Sequence, residues 1–114
     1  MAWRFLPKDF RMRSTYGAPP DSTLEDWPLT YDELAPYYDK AEWEIGVSGK
    51  AGANPFEGPR AKAYPMPPLP FNREASVLAP AGRKLGLHPF PIPMAINSVP
   101  YQGRPPCTHC PHCV

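Results

Sequence analysis

Nineteen of the 114 residues are proline, and fourteen of those lie between Pro55 and Pro111. A proline has no backbone donor and holds φ at about −65°, so long helices and central strands are hard to build through such a stretch. The C-terminal half is therefore expected to be mostly extended or turned backbone. A hydrophobic fraction of 42 % would supply the core of one small domain only if that backbone can gather it.

Charge does little to select a partner. The net charge of +1 generates no field that would collect nucleic acid or an anionic membrane. Eight of the eleven acids fall between Asp21 and Glu44, while Arg4, Lys8, Arg11 and Arg13 make the start basic; a solvated surface with local pairing explains this. In "MAWRFLPKDFRMRSTYG" the aromatic residues alternate with arginines but follow neither helical nor strand spacing. Core anchoring by Trp3, Phe5, Leu6, Phe10, Met12 and Tyr16 explains them better than base stacking, and no nucleic-acid partner is expected. No apolar run approaches the roughly 20 residues that cross a bilayer, and the first residues lack the apolar core of a secretion signal.

Two helices are expected. In "DWPLTYDELAPYYDKAEWEIGVSG", Thr30 followed three residues later by Glu33 has the form of a capping box, which starts a helical segment over 29–46. Leu34, Tyr38, Ala41 and Ile45 then share one face, with Asp39, Lys40 and Glu44 pointing elsewhere. Pro36 either separates a short turn from the helix proper or kinks it, and Gly46 or Gly49 ends it. The second segment, 73–86, has Asn72 as its cap, Val77, Leu78, Ala81 and Leu85 along one face, Pro80 as a weak point and Gly86 at its end. Between them, 50–71 reads as a long Pro/Gly-rich loop. Its "PMPPLP" suits polyproline II and covers a neighbouring surface more readily than it docks a partner. "LHPFPIPMAINSVPYQG" reads as an edge strand or as a segment lying across another domain.

The chemistry concentrates in 104–114. Cys107, Cys110 and Cys113 form C-x-x-C-x-x-C, a spacing that lets thiolates curl around one centre and that opens bacterial ferredoxin runs. Iron–sulfur ligation, a zinc site completed by His109 or His112, and three unliganded thiols are the readings these residues leave. His88 has no nucleophile beside it and reads as a packed or surface residue. Asp26, Asp32 and Glu33 read as capping groups, not as paired acid–base catalysts. No G-x-G-x-x-G is present to cradle a dinucleotide phosphate.

Three stretches together resemble a known family. "WRFLPKDFRMRSTYG", "DWPLTYDELAPYYDKAEWEIGVSG" and "LGLHPFPIPMAINSVPYQGRPPCTHCPHC" are similar, in order, to the middle part of bacterial glucose–methanol–choline (GMC) oxidoreductases. The likeness is strongest to the large flavoprotein subunits of gluconate-type and related sugar dehydrogenases. It covers nearly the whole chain. It implies that 1–114 is an internal fragment of an FAD-dependent enzyme with an α+β fold. The chain would be a Pro-rich, largely irregular piece with about two helices and extended segments. It implies oxidation of an alcohol group of a sugar or sugar acid, no catalytic residue in this piece, and cytochrome and small subunits as partners. A periplasmic or membrane-associated location follows from the same likeness. So does an iron–sulfur cluster whose ligands would begin at Cys107, Cys110 and Cys113. The contrasting expectation is a small zinc-binding interaction module with a Pro-rich docking segment; metal stoichiometry and loss of stability to a chelator would mark it.

Overall fold

The computed structural model describes residues 2–110. Regular structure begins earlier than the spacing suggests. A 3₁₀ turn spans Pro7–Arg11 and runs into α1, Met12–Tyr16. Pro7 supplies a fixed φ at the first position, and the Asp9 carboxylate accepts from the Leu6 amide at 2.7 Å. From outside, Asp26 accepts the Ser14 amide at 3.0 Å and the Ser14 hydroxyl, serving a donor that the first helical turn leaves free. The Trp27 amide donates to the Phe10 carbonyl at 3.0 Å, folding 24–28 back over Phe10. That ring, 1 % exposed, meets Phe5, Trp27 and Tyr31 edge-on, with centroids 6.2, 5.2 and 6.2 Å away. The expected core anchoring is thus corrected: of the N-terminal aromatics Phe10 alone is buried, Leu6 and Met12 are half-buried, and Trp3, Phe5 and Tyr16 are exposed.

The principal helix, α2, spans Tyr31–Ile45. The Thr30–Glu33 capping box is formed: the Glu33 carboxylate takes the Thr30 amide at 2.7 Å and the Thr30 hydroxyl takes the Glu33 amide at 3.3 Å. Pro36 neither splits the helix nor starts it; it lies on the exposed side, where water can serve the carbonyl it leaves unpaired. Gly46, at φ 84°, ends the helix in the left-handed region, as glycine permits.

The expected facing of α2 is corrected by the structure. Its buried residues are Tyr31, Asp39 and Glu42, while Ala41 and Ile45 are exposed and Leu34 and Tyr38 are half-buried. Asp39 does not point outward, because Arg4 lies against that side of the helix and fixes both acids there.

After α2, residues 46–49 form the hub. Ser48, with no exposed surface, bridges to Met94 on one side, with amide–carbonyl distances of 2.8 and 2.9 Å, and to Met66 on the other, through the Gly49 amide at 3.1 Å. The stretch expected as an edge strand thus contributes bridge residues rather than a strand, and the described residues contain isolated bridges only. Pro65 and Pro67 on either side of Met66, and Pro93 before Met94, limit each pairing to one step. "PMPPLP" covers this hub: Met66 is 2 % exposed, and the Pro67 carbonyl accepts from the Ser98 hydroxyl at 2.5 Å. The loop at 50–71 is irregular, as expected.

The last helix, α3, spans Arg73–Lys84, with the Asn72 side chain accepting from the Ala75 amide at 2.8 Å and Pro80 inside. Gly86, at φ 75°, turns the chain back. Here too the expected facing is corrected: Ala79 is the buried residue, whereas Val77, Leu78, Ala81 and Leu85 are exposed. Pro89 lies beside Gly82, where an added Cβ would meet its ring at 3.8 Å, so the returning segment covers the small-residue side and leaves the large apolar side open.

Candidate functional site

The cysteine segment is anchored by a turn and an asparagine. Tyr101 and Arg104 exchange both backbone hydrogen bonds, at 3.0 and 2.9 Å, around Gln102 and Gly103, which both have positive φ, as a type I′ turn requires. This turn closes the end of α2. The Tyr101 hydroxyl donates to the Trp43 carbonyl at 2.7 Å, Gln102 Nε2 to the same carbonyl at 3.3 Å, and Arg104 Nη2 to the Ile45 carbonyl at 2.7 Å. α2 has no basic residue in its own last turn, so Arg104 brings the cation that the helix dipole favours there.

Beyond the turn, Asn97 Nδ2 donates to the Arg104 and Pro105 carbonyls at 3.4 and 3.2 Å, and the Cys107 backbone amide donates to the Asn97 backbone carbonyl at 2.8 Å. Cys107 is half-buried and Cys110 is exposed. The His109 amide approaches Cys107 Sγ at 3.4 Å, with His109 in the left-handed region at φ 56°. Cys113 and His112 lie outside the described residues. Among the described residues no three metal-ligating side chains converge.

The most elaborate polar arrangement lies under α2 and has no motif in the sequence. Arg4 donates to Glu42 at 2.8 and 2.7 Å and to Asp39 at 2.6 Å. On the far side of Glu42, Arg60 donates to both of its oxygens at 3.0 and 3.2 Å, and also reaches Glu57 at 2.8 Å. Glu57 accepts the Tyr64 hydroxyl at 2.7 Å, and the Arg60 guanidinium lies 3.9 Å from the Tyr64 ring centroid.

Burial acts against charge on both arginines, but the hydrogen bonds and the charge of Glu42, joined at Arg4 by the bond to Asp39, together outweigh it and raise both above their usual range. For Glu42, burial opposes ionisation, yet Arg4 and Arg60 hold its carboxyl below the usual 4.5. Burial first, and then the bond to Glu57, push the Tyr64 phenol well above its usual 10.0. Arg4 Nη1 is the one buried side-chain polar atom without a hydrogen-bond partner among the described residues. Every other group here is satisfied internally, so the network holds three segments together and presents no free acid or base.

Two open clefts border these features. One, of about 430 Å³, runs along α2 past Lys40, Trp43, Lys62, Tyr101 and Gln102. The other, of about 450 Å³, follows α3 past Phe71, Leu78, Leu87, His88 and Phe90. His88 is exposed there. A dinucleotide's phosphates would need a helix start with free amides. α2 and α3 begin instead with Thr30 and Asn72 bonded to those amides and with Asp32, Glu33 and Glu74 in their first turns. The described residues therefore do not fit the diphosphate of a flavin cofactor.

No protein-family model matches the chain. Whole oxidoreductases do, over nearly all of its length. The large subunit of fructose dehydrogenase from Gluconobacter japonicus is 40 % identical over 114 residues, covering 99 % of this chain and 20 % of that protein. The gluconate 2-dehydrogenase flavoprotein of Pantoea cypripedii is 30 % identical, covering 97 % of this chain and 22 % of that protein. Paromamine 6'-oxidase of Streptomyces fradiae is 38 % identical, covering 99 % and 19 %. The chain is thus a relative, along its whole length, of one section of these dehydrogenases and oxidases, and the resemblance to sugar and sugar-acid dehydrogenase subunits is borne out. It spans about one fifth of the length of the curated relatives it matches.

Proposed function

We propose that this chain is a structural section of an FAD-dependent GMC oxidoreductase that oxidises an alcohol group of a sugar or sugar acid. The observation that carries the reading is the similarity, at 30 to 40 % identity over nearly the whole chain, to relatives named for fructose and gluconate oxidation. The parent fold is α+β, with the flavin and the proton-accepting residue supplied by polypeptide beyond these residues. A flavin held by that other polypeptide would supply the hydride acceptor for the substrate carbon.

In this section Arg4, Glu42 and Arg60 lock the N-terminal segment, α2 and the 50–71 loop into one unit, and the 101–104 turn sets the position of Cys107 against the end of α2. Cys107, Cys110 and Cys113 are the proposed beginning of an iron–sulfur ligand set, supported by their spacing. A cytochrome and a small subunit are the proposed partners, in a periplasmic or membrane-associated complex.

The test is made on the protein that cells produce from the gene carrying this sequence. It is expected to release flavin on denaturation and to reduce a dye with fructose or gluconate, whereas residues 1–114 alone should do neither. A cell-made protein with no flavin and no sugar-dependent dye reduction would overturn the reading.

A further inference from the structure

We propose that the outward face of α3 is the seat of an apolar surface belonging to the rest of the same flavoprotein polypeptide; the inference rests on the functional reading above. Val77, Leu78, Ala81 and Leu85 share this face, and Leu87 extends it beyond the Gly86 turn. Leu78 and Leu85 are 67 and 78 % exposed, and Val77 and Leu87 are 69 and 61 % exposed. Such a cluster of large apolar side chains is a surface built to be covered.

Nothing in the described residues covers it. α3 packs on neither of the other helices, and its single fully buried residue is Ala79. Pro89 and Phe90 of the returning segment lie over the side made of Ala75, Ala79 and Gly82, and Leu78 and Leu87 line the edge of the open cleft left there. The helix is nevertheless well specified, with Asn72 bonded at its start and Arg83 and Lys84 in its last turn.

The occupant follows from size and shape. The radius of gyration is 17.3 Å, against about 13 Å for a self-contained domain of this length. The matched relatives continue for roughly four more times this chain's length. By contrast, the aromatic residues of the N-terminal segment already meet one another around Phe10. On α2, Tyr37, Trp43 and Ile45 are exposed as well, but they are spread around the helix, whereas Val77, Leu78 and Leu85 fall on one face of α3. Glu74, in the first turn on the same side, and the proline within the helix make a lipid surface the poorer occupant.

Hydroxyl-radical footprinting of the cell-made protein, read residue by residue by mass spectrometry against the denatured protein, tests this. Tyr37, 68 % exposed on α2, serves as the reference. Val77, Leu78, Leu85 and Leu87 are expected to oxidise about tenfold more slowly in the native protein, while Tyr37 changes little. Native rates equal to the denatured ones at these four residues overturn the proposal. So does protection that disappears on dilution, which assigns the face to a second copy. Protection that appears only with phosphatidylglycerol vesicles, which assigns it to lipid, overturns it as well. Flavin content of the same sample separates the two readings: an uncovered face in a flavin-bearing, sugar-oxidising protein sinks this inference alone, and a covered face in a flavin-free protein sinks the functional reading alone.

Discussion

α2 and α3 are both capped helices with a proline inside and glycine at the turn that follows, yet they are held in opposite ways. α2 is fixed on three sides by polar links: the Thr30–Glu33 box at its start, Arg4 and Arg60 on its buried acids, and the Tyr101–Arg104 turn on its last carbonyls. α3 rests on small residues and keeps its large ones in solvent. The helix with the cleaner apolar stripe is the less buried of the two. A hydrophobic pattern states what a segment requires, and the partner that meets the requirement need not be nearby in the chain.

The sharpest way to break the contrast is Glu42→Gln. Removing one member of a buried ionic group leaves Arg4 and Arg60 without their counter-charge, and should cost about 3–5 kcal/mol in urea unfolding. The same group sets a pH window. Glu42 has a folded pKa below its usual 4.5, so its contribution is complete above that value and is lost as pH falls through the lower folded one. Tyr64 has a folded pKa raised above 10.0, so its contribution is complete below that value and is lost as pH rises past it. Stability measured against pH should fall at both ends, and Glu42→Gln should flatten the acid side. An unchanged acid limb would show that Glu42 is not the group responsible.

Gly49→Ala should come next. An added Cβ would stand 2.6 Å from the Tyr64 ring, and displacing a ring bonded to Glu57 should cost about 1–3 kcal/mol. Thr30→Ala, which opens the capping box, should cost about 1 kcal/mol of global stability. Asn72→Ala removes a comparable cap from α3. Its effect should stay within that helix, raising amide exchange at residues 75–84 while leaving the unfolding midpoint within about 0.5 kcal/mol. Equal midpoint shifts from the two cap variants would erase the distinction between the helices.

The local signals were legible. Thr30 with Glu33, Asn72, Gly46 and Gly86 each mark the boundary the structure shows, because caps are set by residues within a few positions of one another. The irregular course of 50–71 follows from its prolines in the same way. Burial was not legible. Asp39 lies inside because Arg4, thirty-five residues earlier, meets it, and helical spacing holds no information about that approach. The 3₁₀ turn and α1 were missed, although Pro7 with Asp9 marks that start, because the aromatic spacing suggested no period. The cysteine motif identified Cys107 and Cys110 as a patch; the hydrogen bond to Asn97 and the turn that ties the patch to α2 rest on residues with no chemical signature.

Native-state hydrogen exchange on residues 1–114 compares the two helices most directly. Amides of Ala35 and of 37–45 in α2 should exchange only through global unfolding, and those of 76–79 and 81–84 in α3 through a much easier local opening with little dependence on urea. Equal protection across both helices would contradict the account, because it would mean that α3 is already held by this chain and has no need of a missing surface.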